Sequence, residues 1–332
     1  MGLAVGGRGT PLVFLHGAGL GYVPYRRALS LLPQLGFLVV AVDAPGHGRS
    51  DGPREAGTDF SMRAALVGRI LDELGVERAV LVGHSMGGRK VIELSAARPE
   101  RTLCAVLLDA AAGGPLDARA ARSLTHPPDL ARQIGAAMWD TVHFRTGLDR
   151  GERAAYRAVL RASVLQALRR PSSVTAPIGL TMRAAPSVPL LRRMREAGVP
   201  AVVVHGERDL LVPLESAVDQ ARQSGAPLYV LPGAFHSWVM SMPRRLLAVM
   251  TALLEQELGG ALAASGVHPR GRTAAELEDA CLAKDARLLD LVPPIEVVDT
   301  SAPPGPAVAR MVRHQGPRSG TSDAAPGESI AR

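Results

Sequence analysis

Residues 80–91 read Val-Leu-Val-Gly-His-Ser-Met-Gly-Gly-Arg-Lys-Val, and a serine set between two glycines at this spacing is placed for chemistry. Val80 to Val82 predict the end of a buried strand, and the residues after Gly83 a tight turn into a helix. A serine at such a corner takes a strained backbone conformation, so the residues two positions to either side must be small, as Gly83 and Gly87 are. The corner lifts the Ser85 hydroxyl clear of the sheet. It leaves the Met86 N–H at a helix N-terminus, where the helix dipole favours negative charge. The pattern suits a nucleophile beside one donor of an oxyanion hole.

An alcohol is a weak nucleophile at neutral pH and needs a neighbouring base, which in turn needs a third group to fix its tautomer and stabilise its cation. In a parallel sheet the loops that follow strands converge on one crevice, so these partners are sought after strands. Asp209 follows the apolar run Ala201–Val204 and His236 follows Leu228–Leu231, in the chain order Ser, Asp, His expected for this kind of turn. The strand Leu12–Leu15 ends in His16-Gly17-Ala18-Gly19, a loop whose Ala18 N–H is the candidate for the second oxyanion donor.

The elements that must hold these residues alternate. Strands are predicted at 12–15, 38–42, 79–82, 103–108, 201–204 and 228–231, and helices over 22–34, 60–74, 90–97, 215–223 and 244–258. Asp59 or Ser61 is placed to cap the second helix and Gly75 to end it. The implied fold class is α/β, a mainly parallel, doubly wound sheet. Between Ala110 and Gly198 the alternation lapses into Ala/Leu/Arg-rich helical segments around 130–144, 152–168 and 188–197. This reading gives a core of 1–109 and 199–258, a helical cap or lid over 110–198, and a C-terminal extension over 259–332. In the extension a helix is expected at 274–289 behind Thr273-x-x-Glu276, then disorder.

Five segments in order, His16 to Gly19, Asp43 to Ser50, Gly83 to Gly88, Gly206 to Asp209 with Val212-Pro213, and Ala234 to His236, resemble the motifs of the α/β-hydrolase superfamily over residues 1–258. The resemblance implies Ser85 as nucleophile, His236 as base and then acid, Asp209 as orienting carboxylate, and the Met86 and Ala18 N–H groups as oxyanion donors. The implied reaction is hydrolysis of a carboxylic ester or thioester through an acyl-enzyme, on a small-molecule substrate with an apolar acyl group. Carbon–carbon bond hydrolases, haloperoxidase-like enzymes and acyltransferases use the same triad, and a receptor on this scaffold would bind a ligand without turnover. A carbon–carbon bond hydrolase acting on a dienol acid would need a cation in the pocket, for which Arg89 and Arg192 are candidates. Family members usually begin with a β-hairpin, whereas about ten residues precede Pro11 here, enough for one strand at Leu3–Val5; either an edge strand is missing or the chain starts further upstream.

Candidates for the substrate pocket are Gly19, Tyr22, Met138, Trp139 and Trp238, with Phe144, Leu165 and Met182 from the lid. Asp109 also follows a strand and is the second choice for the triad acid; Glu207 lies two positions off the motif. His16 and His47 are expected to brace their loops, His205 to pack, and His84 to point away from Ser85. No metal-ligand spacing and no dinucleotide fingerprint is present in the sequence, so no cofactor is expected.

The net charge is +7, but nearly every basic residue is arginine, lysine occurring only at 90 and 284, with no compact basic run and no interleaved aromatics. That argues against a nucleic-acid partner. A weaker expectation is that the basic tail docks on an acidic partner or membrane surface. Cys104 and Cys281 build neither a disulfide framework nor a CxxC pair, and no signal peptide or spanning run is read, so a cytoplasmic protein without stable membrane insertion is expected. The oligomeric state is not legible.

Overall fold

The computed structural model describes residues 2–18, 21–48, 50, 59–123, 184–267, 290–292 and 312–314, with single positions and short runs between 125 and 181. Seven strands form the body of one sheet: β1 (Gly2–Gly7), β2 (Thr10–Leu15), β3 (Phe37–Val42), β4 (Ala79–His84), β5 (Thr102–Leu108), β6 (Ala201–Gly206) and β7 (Leu228–Leu231). Two three-residue strands, β8 (Asp290–Val292) and β9 (Val312–His314), flank it in the order β8-β1-β3-β2-β4-β5-β6-β7-β9. Strands β2 to β7 run parallel, while β1 is antiparallel to β3 and β9 to β7.

The helices are α1 (Arg26–Leu29), α2 (Phe60–Glu73), α3 (Met86–Ala97), α4 (Gly114–Ser123), α5 (Val188–Glu196), α6 (Leu214–Ser224), α7 (Trp238–Ser241), α8 (Pro243–Leu254) and α9 (Glu257–Ala264). Alternate side chains of each strand point to opposite faces and bury separate cores. Val13, Leu15, Leu81, Leu107 and Val203 pack with residues of α2, α3, α5 and α6. Leu12, Phe14, Val82, Val106 and Val204 pack with residues of α1, α7, α8 and α9. Strands covered on both faces are almost wholly apolar, which is why the sequence shows continuous runs rather than alternation.

Several expectations are corrected. Segment 22–34 is not one helix but a 3₁₀ turn at Val23–Tyr25, α1, and a second 3₁₀ turn at Leu32–Leu35. Pro24 and Pro33 each lack the N–H that a continuous ladder requires. The first strand spans Gly2–Gly7 rather than three residues and pairs antiparallel with β3. Helix α9 runs across residue 258, expected to end the core, and buries Leu258 and Ala261. Strand β9 lies in the stretch expected to be disordered. The helix expected at 274–289, most of the lid around 130–168, and Gly19, Met138, Trp139, Phe144 and Met182 lie outside the described residues.

Helix α5 was expected in the lid, yet its apolar stripe, Leu191 and Met194, is fully buried in the core shared with α3 and α6. It is the crossover helix that feeds β6. Leu191→Ala should therefore cost about 2–5 kcal/mol, read as a lowered urea midpoint; a surface lid helix would lose well under that.

Among the described residues no single helix is long and apolar enough to cross a membrane. Helices α8 and α9 satisfy length and composition only as a pair, bent by 51°. Their apolar faces, with Leu246, Met250, Leu253 and Leu258, are buried against the sheet.

Candidate active site

The chain lays down β2, moves outward to β3, then returns to place β4 on the other side of β2, with Leu15 paired to Gly83. The loops after β2 and β4 therefore diverge from neighbouring strand ends, where such sheets open a crevice. Ser85 occupies that point with φ 54° and ψ −121°, a conformation costly for any residue with a Cβ. The turn is held by its backbone. The Ser85 N–H donates to the Leu108 carbonyl at 2.9 Å, and the Ser85 carbonyl accepts from Gly88, Arg89 and Ala111. A Cβ on Gly83 would lie 2.5 Å from the Gly87 carbonyl carbon, and one on Gly87 would fall inside the van der Waals shell of the Leu15 carbonyl oxygen. Gly88, which the spacing argument did not single out, is as confined, against Ala110.

Helix α3 begins at Met86, so its N–H belongs to the first turn, where amides lack intrahelical acceptors. The loop after β2 comes close: a Cβ on Gly17 would lie 3.2 Å from Ser85 Cβ. Ala18, next in that loop, is exposed.

His236 and Asp209 meet across the ends of β6 and β7. His236 Nδ1 donates to Asp209 Oδ2 at 2.7 Å, and Asp209 Oδ1 accepts from the Leu211 and Val212 N–H groups at 2.8 and 2.9 Å. Burial alone would raise the Asp209 pKa; the charge and hydrogen bond of His236, with His205 and the Val212 N–H, hold it below the usual carboxylate range. The carboxylate is therefore ionised and aimed at the imidazole.

Asp109, the second choice for the acid, also converges here: ligand-type atoms of Asp109, Asp209 and His236 lie within 4.8 Å of one another. It sits at the end of β5 with φ 44° and is fully buried. Its Oδ1 accepts from the Gly206 N–H at 2.7 Å and its Oδ2 from Trp238 Nε1 at 2.5 Å. Burial, reinforced by the Asp209 charge, raises its pKa well above the usual value, against the Gly206 and Trp238 hydrogen bonds that lower it. The three residues come from three strand ends, which is why linear spacing showed no such cluster. Each carboxylate oxygen already accepts a protein hydrogen bond. His205, buried beside them, donates through Nε2 to the Val212 carbonyl at 3.0 Å and places Nδ1 3.4 Å from Asp109 Oδ1.

The other histidines are structural parts of the loops. His16 bonds through Nδ1 to the Gly17 carbonyl at 2.6 Å and accepts the Ala44 N–H at Nε2, clamping the loops after β2 and β3 together. His84 donates Nε2–H to the His236 carbonyl at 2.9 Å and accepts the Tyr25 hydroxyl at Nδ1; that hydroxyl accepts the Gly17 N–H. Burial, then His236, pushes the His84 pKa down to about 3, so it works as a neutral relay. This chain of bonds ties the backbone of His236 to the Gly17 loop. Tyr25 was not foreseen, and no linear signal marks it.

Among the pocket candidates, Tyr22 and Trp238 are buried in the core beneath the sheet, at 2% and 1% exposure, rather than on an open wall. Trp238 instead holds Asp109. Leu165 is exposed. Arg89 is committed: Nε and Nη2 donate to Glu93 Oε1, and Nη2 also to the Ala185 carbonyl. Arg89 is therefore not free to bind a substrate carboxylate. Arg192 donates to Gln223 on the exposed face of α5.

A family model described as alpha/beta hydrolase fold matches residues 10–187. The chain belongs to the α/β-hydrolase fold family. A relative named as a non-heme haloperoxidase, from Mycobacterium phage D29, is 37% identical over 252 residues, 73% of this chain and 87% of that protein. A 2-hydroxy-6-oxononadienedioate/2-hydroxy-6-oxononatrienedioate hydrolase of Paraburkholderia phymatum is 38% identical over 107 residues, 31% of this chain and 37% of that protein. Among solved structures, an esterase from Rhodococcus sp. ECU1013 superposes with a TM-score of 0.59 at 25% identity, covering 77% of this chain and 94% of that one. Ser85, Asp209 and His236 follow the C-terminal ends of β4, β6 and β7.

Proposed function

We propose that this α/β hydrolase cleaves a carboxylic ester or thioester of a small molecule through an acyl-enzyme on Ser85. Ser85 attacks the carbonyl as His236 Nε2 takes its proton. The Met86 and Ala18 N–H groups hold the oxyanion, and His236 hands the proton to the leaving alcohol or thiol. Water then enters, His236 removes its proton, and the acid leaves as Ser85 is restored. Asp209 keeps His236 in the tautomer with the proton on Nδ1, leaving Nε2 as the base. The observation that carries the reading is the 2.7 Å bond between His236 Nδ1 and an ionised Asp209, with the His236 carbonyl bonded to His84, the residue before a serine held at positive φ. The esterase among the structural neighbours supports the same chemistry.

A fluorophosphonate probe tests it directly, together with turnover of p-nitrophenyl esters of graded acyl length. Ser85-dependent labelling with turnover is expected, and a folded protein with neither overturns the reading. Asp209→Asn should keep the fold but present the wrong tautomer, lowering kcat by about 10⁴ with KM little changed.

The phage relative's name favours a second reading, in which hydrogen peroxide replaces water in opening the acyl-enzyme and releases a peracid that oxidises halide. Peroxide- and carboxylate-dependent bromination of a phenol indicator, lost in Ser85→Ala, would support it. For the carbon–carbon hydrolase reading, the engagement of Arg89 by Glu93 and the Ala185 carbonyl removes one of the two cations it relied on.

A further inference from the structure

A small cavity lies between the C-terminal ends of β2 and β3, the loop after β3, and helices α2 and α3. Leu15, Val42, Leu66 and Val67 form apolar walls, and two cations share them, Arg63 of α2 and Lys90 of α3. Lys90 is 2% exposed, and the acceptor its ammonium reaches, the His16 carbonyl oxygen, lies at 3.5 Å, the outer limit of a hydrogen bond. Arg63 Nε and Nη1 are buried with no hydrogen-bond partner. Among the described residues no carboxylate lies within ion-pair distance of either.

A buried cation beside a half-buried one is costly unless a negative charge joins them. The groups facing Lys90 do not supply it. Arg63 repels it. His16 and His47 are both held neutral by burial, His47 at about 4. Asp43 attracts it from a distance while its carboxylate accepts the Tyr22 N–H. Burial and then Arg63 accordingly bring the Lys90 pKa down to about 7, so it is cationic in mildly acidic solution.

We propose that this cavity is a binding site for a small monovalent inorganic anion, of the size and charge of a halide ion, held between the Lys90 ammonium and the Arg63 guanidinium. Three observations carry the assignment. The donors are a charged pair with no counter-charge within ion-pair distance among the described residues. Lys90 is buried, and Nε and Nη1 of the half-buried Arg63 are shut off from solvent. The space left to the centre of a water-sized particle is about 10 Å³, enough for one such particle and too little for phosphate or sulfate. Because Lys90 also reaches the His16 carbonyl, the anion would sit directly behind the loop that carries Ala18. The inference does not depend on the reaction assigned to Ser85.

The test is thermal unfolding of the full chain at about pH 6, in sodium bromide against sodium gluconate, each at about 100 mM so that ionic strength is matched. Bromide should raise the midpoint of the wild type by about 2–4 °C over gluconate. That advantage should vanish in Arg63→Gln and in Lys90→Met. Arg63 is partly exposed, so Arg63→Gln decides the matter if Lys90→Met fails to fold. Crystals soaked in bromide should show an anomalous peak between the two side chains. Equal midpoints in the two salts for the wild type, or an undiminished bromide advantage in Arg63→Gln, would overturn the proposal.

Discussion

Ser85→Ala is expected to lower ester turnover by about 10⁴–10⁶ and to abolish fluorophosphonate labelling while leaving the far-ultraviolet spectrum and the thermal midpoint almost unchanged. The size of the loss follows from the proposed division of labour. Ser85 supplies the covalent bond, and His236 and Asp209 act only through it, so removing the hydroxyl disables all three at once. What survives is binding and oxyanion stabilisation, together worth about 10³–10⁴ over water in comparable sites. The fold should tolerate the change, since the strain at φ 54° belongs to a backbone that carries a Cβ, and alanine presents the same Cβ as serine. Retention of more than about a hundredth of the activity would mean that another nucleophile, or a water activated by His236 alone, does the chemistry. The acyl-enzyme reading would then be withdrawn.

The legibility of these features in the sequence follows from how local their causes are. The turn at Gly83 to Gly88 is legible because its glycines lie within six residues, although only the close approach at Gly83 is internal to the turn; those at Gly87 and Gly88 are to Leu15 and Ala110. Its proposed partners Asp209 and His236 are legible from chain order after apolar runs, a signal that survives because each follows a strand. Asp109 was visible as a rival acid, but its role was not. Whether a buried carboxyl is ionised depends on which donors reach it, and Gly206 and Trp238 arrive from distant parts of the chain. The lid boundary failed for a similar reason. Val188 to Glu196 has the amphipathic pattern of any surface-covering helix, and only the contact of Leu191 and Met194 with α3 and α6 shows that it belongs to the core. Tyr25 and the pair Arg63 and Lys90 were likewise hidden, since hydrogen-bond relays and unpaired charges are properties of the packed molecule.

The largest effect on stability is expected from Gly87→Ala, a single methyl group. The added Cβ would overlap the Leu15 carbonyl oxygen and lie 2.8 Å from that of His16. Both are backbone atoms at the end of β2, so no side chain can rotate away to make room. Relief would have to come from separating β2 from β4, whose register pairs Leu15 with Gly83, or from withdrawing α3 from the sheet. Either would displace the loop bearing Ala18. A cost above about 4 kcal/mol is expected, seen as insoluble protein or a collapse of the urea midpoint. Gly36→Ala supplies the comparison. Gly36 has φ 82°, so alanine there is strained, but its Cβ would meet nothing within 4 Å, and the cost should stay near 1–2 kcal/mol. Measured side by side, the two variants separate backbone strain from close approach. Gly87 is helical and carries no positive φ, so its loss comes from close approach; a loss at 87 no larger than at 36 would show that the contact is relieved cheaply, and the packing of β2 against the turn would cease to be the reason the Ser85 corner holds its shape.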